Sequence, residues 1–146
     1  AQKVLESLGI KVDVWSATSF NMLRKDGMEK ERFNELNPTA KQKKTYVEEC
    51  LPSSDTPVIA ATDYMRAYPE QIRGFIKAPY YTLGTDGYGR SDSRQKLREF
   101  FEVDANNIAR MAIYSLFRKG DISKKEITSF YKKLKVDPSK LNPWEV

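Results

Sequence analysis

The densest grouping of residues able to hold a ligand lies at residues 84–93, where Gly84, Thr85, Asp86, Gly87, Tyr88, Gly89, Arg90, Ser91, Asp92 and Ser93 run together, with Arg94 one position beyond. Glycines let backbone amides approach an anion closely, and a helix opening after them presents its positive end to the same space. Arg90 and Arg94 would add guanidinium donors. The glycine spacing is neither the dinucleotide fingerprint nor a Walker lysine loop, which also needs a terminal Lys-Ser/Thr. A structural reading names the same residues: a tight turn with Ser91 or Asp92 capping the next helix, and with Arg90 and Arg94 paired to Asp86 and Asp92. The candidate set is therefore Asp86, Gly87, Tyr88, Gly89, Arg90, Ser91 and Arg94, as an anion site or as a structural turn.

Other chemistries are poorly served. The 146 residues contain no histidine, which removes the usual base of Ser/His/Asp and Cys/His sites and the commonest zinc ligand. Cys50 is the sole cysteine, so no intrachain disulfide forms, and the thiol usage suits a reducing, cytoplasmic setting. The carboxylates form no recognisable ligand array or acid–base dyad. Two lysine clusters, Lys41/Lys43/Lys44 and Lys132/Lys133/Lys135, read as solvated helix faces without the aromatic-lined groove that nucleic-acid binding calls for. The net charge of +5 comes from 25 basic against 20 acidic residues, a modest excess. Tyr64, Tyr68, Tyr80, Tyr81 and Tyr88 suit half-buried core and interface positions. No apolar run approaches the roughly 18 residues of a membrane span.

Elements of an α/β domain surround the glycine passage. Val4, Leu5 and Leu8 lie at helical spacing and Gly9 stops that helix. Lys11, Val12, Asp13, Val14 and Trp15 read as a strand, followed by a hydroxyl-capped helix through Phe20, Met22 and Leu23 that halts at Asp26 and Gly27. Two charged surface helices flank Asn37 and Pro38, and residues 52–57 form a loop. Val58, Ile59, Ala60 and Ala61 form the central strand. Asp63 caps a helix bearing Tyr64, Met65, Tyr68, Ile72 and Phe75, interrupted at Pro69, before a strand over Tyr80, Tyr81, Thr82 and Leu83. Helices follow through Leu97 and Phe100, from about Asp104 to Lys119, and from the capping box Ser123/Glu126 through Leu134. Residues 137–146 form an irregular, proline-interrupted tail. The expected fold is a single α/β domain over 1–146: a mostly parallel sheet with helices on both faces, a three-layer arrangement.

Several passages then carry a resemblance. They are the run from Asp13 to Phe20, Arg24-Lys25-Asp26-Gly27, Glu31-Arg32-Phe33-Asn34, Ala61-Thr62-Asp63-Tyr64-Met65, Glu70-Gln71-Ile72-Arg73, and above all Leu83 to Arg94 followed by Leu97-Arg98 and Phe101-Glu102-Val103-Asp104. In this order the chain resembles the carboxy-terminal, transketolase-like third domain of the homodimeric, bacterial-type pyruvate dehydrogenase component. The resemblance implies that thiamine diphosphate and magnesium belong to two other domains of the intact enzyme. No residue of this chain matches their catalytic, cofactor-binding or metal-binding motifs, so none is assigned such a role. It implies an architectural domain whose turn at Gly87, Tyr88, Gly89, Arg90 and Ser91 packs near neighbouring domains, and whose partners are the other domains, the dimer mate and the dihydrolipoyl acyltransferase of a multienzyme complex, with no nucleic acid and no membrane. It also implies an opening strand and the front half of a crossover helix before Ala1, leaving the sheet without its first strand. An independent anion-binding or regulatory domain using residues 84–93 is the alternative.

Overall fold

The computed structural model describes residues 1–51 and 55–145. Pro52, Ser53 and Ser54 of the expected 52–57 loop, and Val146 of the expected tail, lie outside the described residues. The α-helices are α1 (Gln2–Ser7), α2 (Phe20–Leu36), α3 (Tyr46–Cys50), α4 (Ala67–Glu70), α5 (Arg94–Phe100), α6 (Ala105–Lys119) and α7 (Lys124–Lys133). The strands are β1 (Val58–Ala61) and β2 (Tyr80–Leu83), paired in parallel with Val58 opposite Tyr80 and Ala61 opposite Leu83. A parallel pair needs a crossover rather than a hairpin, and α4 with the 3₁₀ turn Arg73–Phe75 provides it.

Because side chains alternate along a strand, the pair serves two layers. Val58, Ala60 and Tyr80 pack with Val47, Ile72 and Phe75, flanked by Phe20, Leu23 and Leu51 from α2 and the α3 region. On the opposite side, Tyr81 meets Tyr114 of α6 edge-on, with ring centroids 6.2 Å apart. Helices thus cover both faces of a parallel sheet, and the fold is α/β. Burial pushes the Tyr80 phenol far above its usual pKa, and its hydroxyl donates to the Pro69 carbonyl at 2.8 Å. A second cluster joins Leu5 of α1 to Ala109 and Ile113 of α6, with Ile127, Phe130 and Leu134 from the α7 segment packed against it. α6 starts at Asp104, whose side chain accepts from the Asn107 amide, and ends at Gly120 in the left-handed conformation, φ +94°.

Four expectations are corrected. Residues 11–15 form no strand: no neighbouring strand offers them hydrogen bonds, Val12 packs onto the α1–α6 cluster, and Val14 and Trp15 are 69% and 60% exposed. Two strands, not three, are therefore present among the described residues. α2 runs straight through Asp26 and Gly27 instead of stopping there, because Gly27 is a helical residue whose bare Cα lets the Phe75 ring pack on it. Asp63 caps no helix. The expected helix over Tyr64 to Phe75 shortens to α4 and a 3₁₀ turn, with Pro69 seated in the first turn, where its missing N–H is not needed.

Candidate functional site

The backbone after β1 and the backbone after β2 continue side by side beyond the strands, at the carboxyl end of the sheet, where α/β folds place their ligands. The Thr62 amide donates to the Leu83 carbonyl at 3.0 Å and the Thr85 amide to the Tyr64 carbonyl at 2.9 Å. Thr85 Oγ1 donates to the Asp63 carbonyl at 2.9 Å. Between these bonds Gly84 is buried, and a Cβ there would lie 2.6 Å from the Arg66 nitrogen and 2.7 Å from the Tyr64 oxygen. Only glycine fits such a backbone-to-backbone approach.

Asp86 fixes the next step. Its Oδ1 accepts from the Arg66 amide at 3.0 Å, and its Oδ2 lies 3.0 Å from Arg66 Nε. That second contact is an ion pair rather than an aligned hydrogen bond, since Nε has no hydrogen-bond partner. The Arg66 guanidinium also sits 5.2 Å from the centre of the Trp144 ring. Gly87, at φ +116°, turns the chain where a Cβ would meet the Pro143 carbonyl at 3.2 Å. The tail is thus seated against the turn. Lys140 anchors it further, donating from Nζ to the Glu99 and Phe100 carbonyls at 2.8 and 3.2 Å and lying 3.5 Å from Glu102 Oε1.

The apex is solvent-facing. Tyr88 is 85% exposed, Gly89 has open space around it, and Ser91 is exposed. The Arg90 guanidinium covers the Phe100 ring at 4.3 Å. Arg94 points elsewhere, 3.8 Å from Asp63. Asp63 is held by Arg98, whose Nε and terminal nitrogen donate at 3.2 and 2.7 Å, and the Arg98 bonds keep the Asp63 carboxyl below the usual carboxylate range.

The structure therefore joins Asp86 and Gly87 at the base of one turn and Tyr88, Gly89, Arg90 and Ser91 at its apex, while Arg94 lies apart. Three expected details change. Asp86 pairs with Arg66 rather than with Arg90 or Arg94. Arg94 lies beside Asp63 rather than Asp86 or Asp92. The cap of α5 is Ser93, whose Oγ accepts from the Lys96 amide at 3.4 Å, rather than Ser91 or Asp92. Arg66 and Arg98 were not legible as partners, because 20 and 35 residues separate them from Asp86 and Asp63. The capping box of α3, Thr45 with Glu48, carried its Thr-x-x-Glu signal openly in the sequence.

What the arrangement does chemically is limited. The carboxylates of Asp86 and Asp63 already occupy the guanidinium groups of Arg66 and Arg98. Among the described residues no three His, Cys, Asp or Glu side chains converge as a metal site. Among the described residues no helix is long and apolar enough to cross a membrane.

A family model described as the transketolase-like C-terminal domain matches residues 1–104. A pyruvate dehydrogenase E1 component of Pseudomonas aeruginosa is 51% identical over 145 residues, covering 98% of this chain and 16% of the relative. Proteins of the same description from Cupriavidus necator and Escherichia coli are 45% and 40% identical, over 94% and 98% of this chain and 15% and 16% of their own lengths. The chain spans about a sixth of these relatives. With the family model covering residues 1–104 and the parallel β1–β2 unit it encloses, this chain belongs to the transketolase-like C-terminal domain family.

Proposed function

We propose that this chain is the C-terminal domain of a pyruvate dehydrogenase E1 component, and that its own role is architectural. The observation that carries the reading is the 51% identity to such a component across 98% of the chain. The intact enzyme decarboxylates pyruvate with thiamine diphosphate and magnesium held by its other domains, and passes the acetyl group to the lipoyl group of a dihydrolipoyl acyltransferase. Its dimer mate and its own other domains are this chain's nearest partners, in the cytoplasm.

The turn at 84–93 serves that role by shape. Gly84, Asp86 and Gly87 are engaged by the chain's own backbone, Arg66 and the tail, while Tyr88 and Ser91 face outward. A preorganised apex with an exposed aromatic suits contact with a neighbouring domain, since aromatic rings supply large contact area at low entropic cost. The test adds this chain to the same enzyme lacking the corresponding region and follows pyruvate decarboxylation with an artificial electron acceptor. Activity restored by the chain, and restored less by Tyr88→Ala, is the expected result. Restoration that is identical with Tyr88→Ala overturns the role of the turn. Thermal stabilisation of the isolated chain by thiamine diphosphate with Mg²⁺ overturns the assignment of the cofactor to other domains.

A further inference from the structure

The net charge is not spread through the molecule. Residues 1–104 hold sixteen basic and sixteen acidic residues, so the whole excess of +5 lies in residues 105–146, with nine basic against four acidic. That excess concentrates on α7. At about 3.6 residues per turn, Lys125, Lys132 and Lys133 fall on the half of the helix opposite Ile127, Phe130, Tyr131 and Leu134, which pack into the α1–α6 cluster, and Lys124 stands beside that half, on the flank nearer the packed stripe. Thr128 and Ser129 lie between the lysines, and Lys135 extends the row just past the helix. All five lysines are exposed. Among the described residues no carboxylate pairs with any of them. The helix's one acid, Glu126, is spent on its own start, accepting from the Ser123 amide at 2.7 Å.

We propose that this face of α7 is a docking surface for an acidic polypeptide segment. Its charges are unneutralised within the chain, and the helix that displays them is fixed by its capping box and its packed stripe. No ordering of the backbone is needed on binding, which favours association. From Lys124 to Lys133 the row spans about 13.5 Å, at 1.5 Å per residue, a match for carboxylates on two to three turns of one helix or on a short extended strand. The surface suits two other polyanions less well. Single-stranded nucleic acid is bound by a basic groove with aromatic stacking platforms, and here Phe130 and Tyr131 are packed inward on a convex helix. A helix that lies on a membrane inserts its apolar side, and in α7 that side is packed against α1 and α6. The inference stands apart from the proposed function, since it rests on α7 alone.

The test titrates the full chain against a fluorescein-labelled peptide of alternating Glu and Gly, beside a duplex DNA and phosphatidylserine vesicles. A quadruple variant, Lys124→Glu, Lys125→Glu, Lys132→Glu and Lys133→Glu, is compared with a control that removes equal charge elsewhere, Lys11→Glu, Lys41→Glu, Lys43→Glu and Lys44→Glu. The corresponding Lys→Gln sets repeat the comparison without reversed charge, and far-UV circular dichroism verifies folding. The expected results are peptide binding that weakens about tenfold between 50 and 200 mM salt, and a loss of about tenfold in the α7 variants against under about threefold in the controls. Equal losses in both sets, tighter binding of duplex or vesicles than of peptide, or no peptide binding at 50 mM salt would each overturn the proposal.

Discussion

The ring of Phe75 lies directly on the α-carbon of Gly27, so closely that a methyl group on Gly27 would fall 2.2 Å from Phe75 Cε2. This contact joins α2 to the crossover between the strands, and Phe75 is itself part of the cluster that covers β1 and β2. Alanine is the better helix former by about 1 kcal/mol, yet Gly27→Ala is expected to destabilise the chain by about 2 kcal/mol, because a rigid buried ring must move. Adding Phe75→Leu should recover part of that loss. Chemical denaturation of the two single variants and the double checks it, and additive losses would show that the two positions do not interact.

Two glycines of the 84–93 turn should behave oppositely. Gly84→Ala places its methyl against main-chain atoms of Tyr64 and Arg66, which cannot rotate away, and the expected cost is about 2–4 kcal/mol. Gly89→Ala meets nothing within 4 Å and should leave stability within about 0.5 kcal/mol of the parent. Thermal unfolding of both variants decides the matter, and equal midpoints would mean that the turn opens easily in solution.

Acid stability should depend on Glu70. Arg73 hydrogen bonds, with Thr82 adding another, hold its carboxyl below the usual range; Glu48 is lowered in the same way, chiefly by the Thr45 amide. A carboxylate depressed in the folded state stabilises above its unfolded pKa of about 4.3, and that contribution disappears as pH falls through the lower folded value. Melting temperature should therefore drop on going from pH 5 to pH 3, with a shallower slope in Glu70→Gln. A parallel slope in that variant would remove Glu70 from the explanation.

Tyr88 should be dispensable for folding. With 85% of its surface exposed, Tyr88→Ala is expected to shift stability by less than about 0.5 kcal/mol. A larger fall in the melting temperature would show that the ring packs against this chain in solution, and would withdraw it from the surface offered to a neighbouring domain.

Local signals were read well where one short segment decides the outcome. Val58 to Ala61, Tyr80 to Leu83, the helix start near Asp104, the stop at Gly120 and the Ser123/Glu126 box all stand where their residue types place them. The failures are non-local. Residues 11–15 have strand-forming side chains, but a strand exists only with a neighbour to bond to. Asp26-Gly27 has turn composition, but Phe75, far along the chain, makes glycine useful inside a helix. In the turn, the residue types were legible and the partners were not: Arg66, Pro143 and Trp144 reach it from distant segments.

The cluster of Leu5 with Ala109 and Ile113 has a consequence for synthesis. The apolar side of α1 finds its partner only after more than 100 further residues have been made. At about 5–20 residues per second, that is roughly 5–20 s of waiting on the ribosome. During that interval the β1–β2 pair and its crossover can form, while Leu5 remains available to a chaperone, so α1, made before α2 to α7, is among the last of these helices to be seated.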